Sequence, residues 1–221
     1  MSRGYAVKPE IIYLFDPLCG WCYGAGPGLA RLAAEPGITV TLQPVGLFAG
    51  VGARPMDPAF ASYIVKADER ITAMTGQPFS DTYRQNVLFG GTQRIDSGPA
   101  NLALTAVRLT EPDELHKALK ALQAARYVVG KDITSPAVLA EILNDAGLQA
   151  ASDRLAAADA ALEAAMQEWI NEGMGLMQAM RAQGVPALQL LPPSGGRYTI
   201  DTQALFGPQV EALIEAIGKA A

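Results

Sequence analysis

The 221-residue chain holds a single histidine, His116, and two cysteines, Cys19 and Cys22. That scarcity argues against zinc, because a structural zinc site takes four Cys or His ligands and these three side chains would need carboxylates to complete the set. A basic surplus is also missing. Lys and Arg number 17 against 22 Asp and Glu, for a net charge of −5, whereas a nucleic-acid binder shows a basic face. No run approaches the ~20 apolar residues of a membrane span. The opening segment, Met1-Ser2-Arg3-Gly4-Tyr5-Ala6-Val7-Lys8-Pro9, has no hydrophobic stretch of signal-peptide length. A cytoplasmic location is therefore expected, with neither membrane nor nucleic acid as partner. With 50% hydrophobic residues, the chain is long enough to bury a core without a disulfide staple.

The cysteines stand three apart, in Cys19-Gly20-Trp21-Cys22. In a reducing compartment such a pair binds metal or does redox chemistry. As a structural staple it would be weak, since closing so small a loop removes little entropy from the unfolded chain. Two inert core thiols at this spacing by chance are the bland alternative. The flanks favour redox chemistry. Ile11-Ile12-Tyr13-Leu14-Phe15 is a continuous apolar run, as in a buried strand, and Asp16-Pro17 breaks it. Residues 23–34 read as a helix with Leu29 and Leu32 inward. Gly24, Gly26, Pro27 and Gly28 weaken its first turn, so a bend is expected there. Strand, turn, Cys-x-x-Cys and helix form the setting in which this motif exchanges disulfides.

The chemistry follows from position. Unpaired N–H groups and the helix dipole favour a negative sulfur at Cys19. The thiolate is the nucleophile. Cys22, one turn on, is placed to attack the mixed disulfide and release product. Gly20 and Trp21 contribute no positive charge. Trp21 has two readings: a ring exposed beside the sulfurs to meet substrate, or one folded onto neighbouring apolar surface. His116 lies in Glu114-Leu115-His116-Lys117 and reads as part of a solvated helix face, remote from the chemistry.

The rest of the chain falls into place around this centre. Residues 38–42 alternate as a second strand. Residues 44–56 are rich in Gly and Pro and read as a loop. Helical signals dominate residues 59–183, with starts at Pro99, Pro112 and Ser135-Pro136. The last helix covers about residues 159–183; Leu162, Trp169 and Leu176 form a packing stripe, and Gly173 and Gly175 are places for a kink. An apolar strand then begins at Pro186. Gly195-Gly196 turns it into residues 197–200 as a hairpin, and a helix over 206–217 closes the chain with Val210, Leu213, Ile214 and Ile217 inward. The order is β, α, β, a helical block, β, β, α.

Phe15-Asp16-Pro17-Leu18-Cys19-Gly20-Trp21-Cys22-Tyr23-Gly24, joined to the distant Gly184-Val185-Pro186, resembles the DsbA-like branch of the thioredoxin superfamily, and within it the cytoplasmic, FrnE-like protein-disulfide isomerases. The resemblance implies an α/β thioredoxin fold with a large all-helical insertion between the second strand and the cis-Pro strand. Residues 1–58 and 184–221 would form a discontinuous thioredoxin-like domain. Residues 59–183 would form the insertion, its last helix packing back on the sheet. Cys19 and Cys22 would be catalytic and close a redox disulfide, with Gly20, Trp21 and Asp16 around them. A cis peptide between Val185 and Pro186 would face Cys19 and leave the Val185 backbone free to pair with an extended substrate peptide. Substrates would be protein or small-molecule disulfides or dithiols. No resident cofactor is implied, and glutathione is the candidate co-substrate. Reduction or isomerisation is the direction expected in a reducing cytosol.

Two departures matter. Many relatives carry a buried acid six residues before the first cysteine, where this chain has Tyr13. Asp16 is nearer, but a turn aspartate can simply cap the helix or face solvent, which leaves the proton acceptor for Cys22 open. Two rival readings stand. The 2-hydroxychromene-2-carboxylate isomerases and kappa-class glutathione transferases share the insertion and activate glutathione's thiol, usually with a serine in place of the first cysteine; the presence of both cysteines argues against them. The other rival is a non-catalytic redox-sensing module that holds an extended peptide over Pro186.

Overall fold

A computed structural model describes residues 8–90 and 94–220. The opening segment read as lacking a signal-peptide stretch spans residues 1–9, of which 1–7 lie outside the described residues. Strand β1 (Glu10–Phe15) is buried at every position after Glu10. Being covered on both faces, it needs apolar side chains in succession rather than in alternation. Strand β2 (Thr39–Pro44) pairs with it in parallel, matching Ile11 to Val40 and Phe15 to Pro44. Between them run helices α1 (Gly20–Gly24) and α2 (Gly26–Ala33), with the expected bend at Ala25.

A loop then leads to β3 (Arg54–Pro55), α3 (Pro58–Thr75), α4 (Asp81–Tyr83) and β4 (Arg94–Ile95). Next come α5 (Gly98–Thr110), α6 (Leu115–Ala124), α7 (Pro136–Asp145), α8 (Gln149–Ala157) and α9 (Ala160–Ala179). Helices α4 and α6 each run on into a π-helical turn, Arg84–Leu88 and Ala125–Val129. The chain returns through β5 (Ala187–Leu191), antiparallel to β1, then β6 (Tyr198–Ile200) and α10 (Gln209–Ala220). The sheet order is β2-β1-β5-β6. Among the described residues no helix is long and apolar enough to cross a membrane.

Several details differ from expectation. Residues 44–56 are not only loop: β3 pairs with β4 as a two-residue ladder, Arg54 facing Ile95, too short to leave a period in the sequence. The closing helix starts at Gln209 instead of 206, because Gly207, with φ +70, and Pro208 interrupt the chain first. Its residues Val210, Leu213 and Ile217 are buried as expected. His116 does not lie on a solvated face. It is half-buried where α6 meets the backbone of Val40, and burial lowers its pKa.

Gly173 does not kink α9, which stays continuous from its Asp159 cap. It lets the helix approach β2: a Cβ there would lie 2.0 Å from the Pro44 carbonyl oxygen. The Gln43 side chain also donates to the Trp169 carbonyl. Gly173→Ala is therefore expected to cost about 1–3 kcal/mol through overpacking. Gly175→Ala, with open space around its Cβ, should be neutral or stabilising by up to ~1 kcal/mol through helix propensity. Urea midpoints of the two variants test this; equal midpoints would refute the close-approach account.

Candidate active site

The redox turn is built around Asp16. Its carboxylate accepts from Leu18 N–H (2.9 Å), from Phe48 N–H (3.2 Å) and from the Ser97 hydroxyl (2.7 Å). Cys19 N–H closes the turn onto the Asp16 carbonyl at 3.0 Å. Asp16 is fully buried; it neither faces solvent nor caps the helix with its side chain. Burial raises its carboxyl above the usual range, opposed by these three hydrogen bonds and by the charge of Arg126. Ser97 is the residue before α5, so the insertion itself holds the turn.

Cys19 is the N-cap of α1, in extended conformation (φ −83, ψ 117), and Cys22 is inside the helix. Both are free thiols. They are not equivalent. Cys22 is 1% exposed and Cys19 7%. Burial, and then hydrogen bonding with Cys19 and its charge, push the Cys22 thiol well up, while the Asp16 backbone pulls the other way. The Cys19 thiol donates to the Val185 carbonyl at 3.4 Å, and the Val185–Pro186 peptide is cis. Residues 166 apart in sequence are thus joined at the sulfur. Tyr13 is fully buried; its hydroxyl donates to the Cys22 carbonyl (3.2 Å) and hydrogen-bonds the Cys22 sulfur. Burial, with the two cysteines, raises the phenol well above its usual value. It therefore stays protonated and offers no phenolate as a base.

Trp21 is half-buried and combines features of both readings. Its ring meets Phe206 at 5.8 Å on one side, and the Arg70 guanidinium stands over it at 5.8 Å. Gly20 faces α3: a Cβ there would come within 3.0 Å of Asp68 Oδ1 and 3.3 Å of Ile71. A glycine in the dipeptide lets α3 seat directly against α1.

Behind this face lies a group that local sequence patterns did not reveal. Asp68, Tyr83, Arg126 and Tyr127 are each at most 1% exposed. The Tyr127 hydroxyl donates to the Leu18 carbonyl at 2.7 Å. Its ring stacks on Tyr23 at 4.6 Å and meets Phe79 and Tyr83 edge-on, each at 5.2 Å. Arg126 lies 5.7 Å from the Tyr83 ring and 5.6 Å from that of Tyr127. One signal was available: Asp68 falls on the inward stripe of α3 with Ala61 and Ile71, and an acid on an apolar face has to find a partner.

Comparison with known proteins agrees with this geometry. A search of curated proteins finds no match. Among solved structures, the cytosolic disulfide reductase DsbM from Pseudomonas aeruginosa superimposes with TM-score 0.85 and 29% identity, over 96% of this chain and 100% of that chain. The same protein with GSH gives TM-score 0.83 and 28% identity, over 95% and 99%. A candidate protein disulfide isomerase from Nitrosomonas europaea gives TM-score 0.76 and 25% identity, over 96% and 97%. The model of the DSBA-like thioredoxin domain matches residues 10–215. A match running from β1 into α10 takes in the cysteine turn, the insertion and the cis-proline strand together, and on it the chain belongs to the DSBA-like thioredoxin domain family.

Proposed function

We propose that this thiol–disulfide oxidoreductase of the DsbA type acts through Cys19 and Cys22, reducing or isomerising disulfides in the cytoplasm. The observation that carries the reading is the unequal pair: one thiol at a helix N-cap in contact with the cis-proline loop, its mate sealed inside the same helix. A thiolate at Cys19 attacks one sulfur of a substrate disulfide. A Cys19–substrate bond forms, the substrate S–S bond breaks, and the released thiolate takes a proton from solvent. Cys22 then loses its proton and attacks Cys19. The mixed disulfide breaks, the second substrate thiol leaves, and Cys19–Cys22 holds the oxidising equivalent.

Cys22 needs a proton acceptor because burial holds its thiol protonated. Tyr13 cannot serve. Asp16 can, being a buried carboxyl whose charge reaches Cys22. The backbone of Val185, next to the cis bond and touching Cys19, is where an extended disulfide-bearing chain would lie, with Trp21 at the rim. DsbM, a cytosolic disulfide reductase that has been seen with GSH, supports reduction as the direction and glutathione as the thiol co-substrate. No resident cofactor is needed for these steps.

Insulin reduction driven by glutathione tests the proposal. Cys19→Ser should abolish turnover, and Cys22→Ser should accumulate a trapped mixed disulfide. Unchanged turnover in Cys19→Ser would sink the reading, and calorimetric glutathione binding without any disulfide exchange would favour the isomerase or transferase alternative. Asp16→Asn should slow the resolving step about a hundredfold, the lower range for a lost proton acceptor, so that mixed disulfide builds up in quenched samples; resolution at the wild-type rate would remove Asp16 from the mechanism.

A further inference from the structure

We propose that Arg70 determines specificity: its guanidinium, at the rim of the cysteine turn, holds a carboxylate of the thiol reductant, so that the pair prefers carboxylate-bearing thiols such as glutathione over uncharged ones. The proposal rests on the Cys19–Cys22 reading above, of which it names the reductant class.

Helix α3 seats directly against α1 because Gly20 has no side chain; a Cβ there would come within 3.0 Å of Asp68 Oδ1 and 3.3 Å of Ile71. At this junction α3 carries charges of both signs. Asp68 is buried and faces Tyr83 and the cations Arg126 and Arg84. Arg70, two residues on, is exposed. Its guanidinium stands 5.8 Å from the ring of Trp21, whose other aromatic neighbour is Phe206 at 5.8 Å. The ring quadrupole attracts the cation and leaves its N–H donors available to an anion.

No acid takes those donors. Arg31, Arg54, Arg84 and Arg154 each have a carboxylate partner, whereas Arg70 has none among the described residues. Its neighbours at helical spacing are Lys66, Ala67, Ala73 and Met74, so its own helix offers no acid three or four residues away. Lys66, one turn earlier on the same stripe, is also exposed and without an ion pair among the described residues. Glu69 is the exposed acid of this stretch, and its charge acts on Asp68. In a chain of net charge −5, two such cations on the helix that packs against the cysteine turn reverse the sign locally, which draws anions.

The size also fits. Glutathione has the length of three residues, ~10 Å extended, with a carboxylate at each end and the sulfur in the middle. With that sulfur at Cys19, an end carboxylate reaches past Trp21 to the guanidinium, whose fork can take both its oxygens. The step served is the return of the oxidised pair to dithiol. A glutathione thiolate attacks Cys19, a mixed disulfide forms, the Cys19–Cys22 bond breaks, and Cys22 takes a proton. A second glutathione attacks the glutathione sulfur, Cys19 leaves and takes a proton, and oxidised glutathione departs. Two electrons pass from two glutathiones to the pair, and Arg70 moves neither electron nor proton.

The test is the second-order rate constant for reduction of the oxidised protein by glutathione and by uncharged mercaptoethanol, read by alkylating free thiols in quenched samples. The glutathione-to-mercaptoethanol ratio should fall about fivefold in Arg70→Gln, as for a charge-assisted bond at an exposed site. Raising the ionic strength from about 0.05 to 0.5 M should lower the wild-type ratio more than that of the variant. Each ratio is taken within one protein, so a general loss of stability cancels. A ratio unchanged in Arg70→Gln, or equal salt dependence in the two proteins, overturns the proposal. Oxidised wild type that neither thiol reduces would overturn the functional reading itself, a result distinct from either.

Discussion

Asp16 fixes the geometry of the cysteine turn, on which the proposed chemistry depends. Three donors from three parts of the chain converge on its carboxylate: Leu18 from the turn, Phe48 from the loop after β2, and Ser97 from the start of α5. Removing the acceptor would strand all three, and an unpaired buried donor costs ~1–3 kcal/mol. The same contacts locate Cys19 at the mouth of α1 while keeping Cys22 beneath it. Ser97 Oγ also accepts from the Asn101 side-chain amide at 3.4 Å, so the first turn of α5 is tied to the cysteine turn. The insertion is thus part of the active-site wall as well as a cover.

Glycine makes this junction close. A side chain at Gly20 would press on Asp68 and Ile71, and one at Gly24 would come within 2.4 Å of Ile71. On the other side, a Cβ at Gly28 would come within 2.2 Å of the Leu205 carbonyl. The run of glycines through α1 and α2 lowers helix propensity, and tertiary packing supplies what propensity lacks. Trp21, in contact with Phe206 and Arg70, is the one large side chain of the dipeptide.

What could be read from the sequence was what leaves a local signature. The apolar run of β1, the cysteine spacing, the hairpin at Gly195-Gly196 and the apolar positions of the closing helix all recur in the structure. What escaped depends on distant partners. Gly173 read as a kink because its true neighbour, Pro44, lies on another element. His116 read as solvated because its charged sequence neighbours say nothing of Val40. Asp16 read as a turn residue because Ser97 is 81 residues away. Asp68, Arg126 and Tyr127 carry no motif at all; folding alone assembles them.

The two sulfurs show why such long-range assembly matters to exchange chemistry. A Cys-x-x-Cys pair with both thiols in one environment would have no built-in order of attack. Here Cys19 caps the helix and touches Val185, while desolvation keeps Cys22 a thiol. In the proposed mechanism the order of attack follows from burial. For the proposed reaction the cost is a buried proton that must move whenever Cys22 reacts, and the polar groups at hand are Tyr13, whose hydroxyl donates to the Cys22 carbonyl, and Asp16, whose charge acts on Cys22. In the exchange proposed above, a phenol that does not ionise and an acid that does would divide the labour, the phenol holding the Cys22 backbone and the carboxyl handling the Cys22 proton.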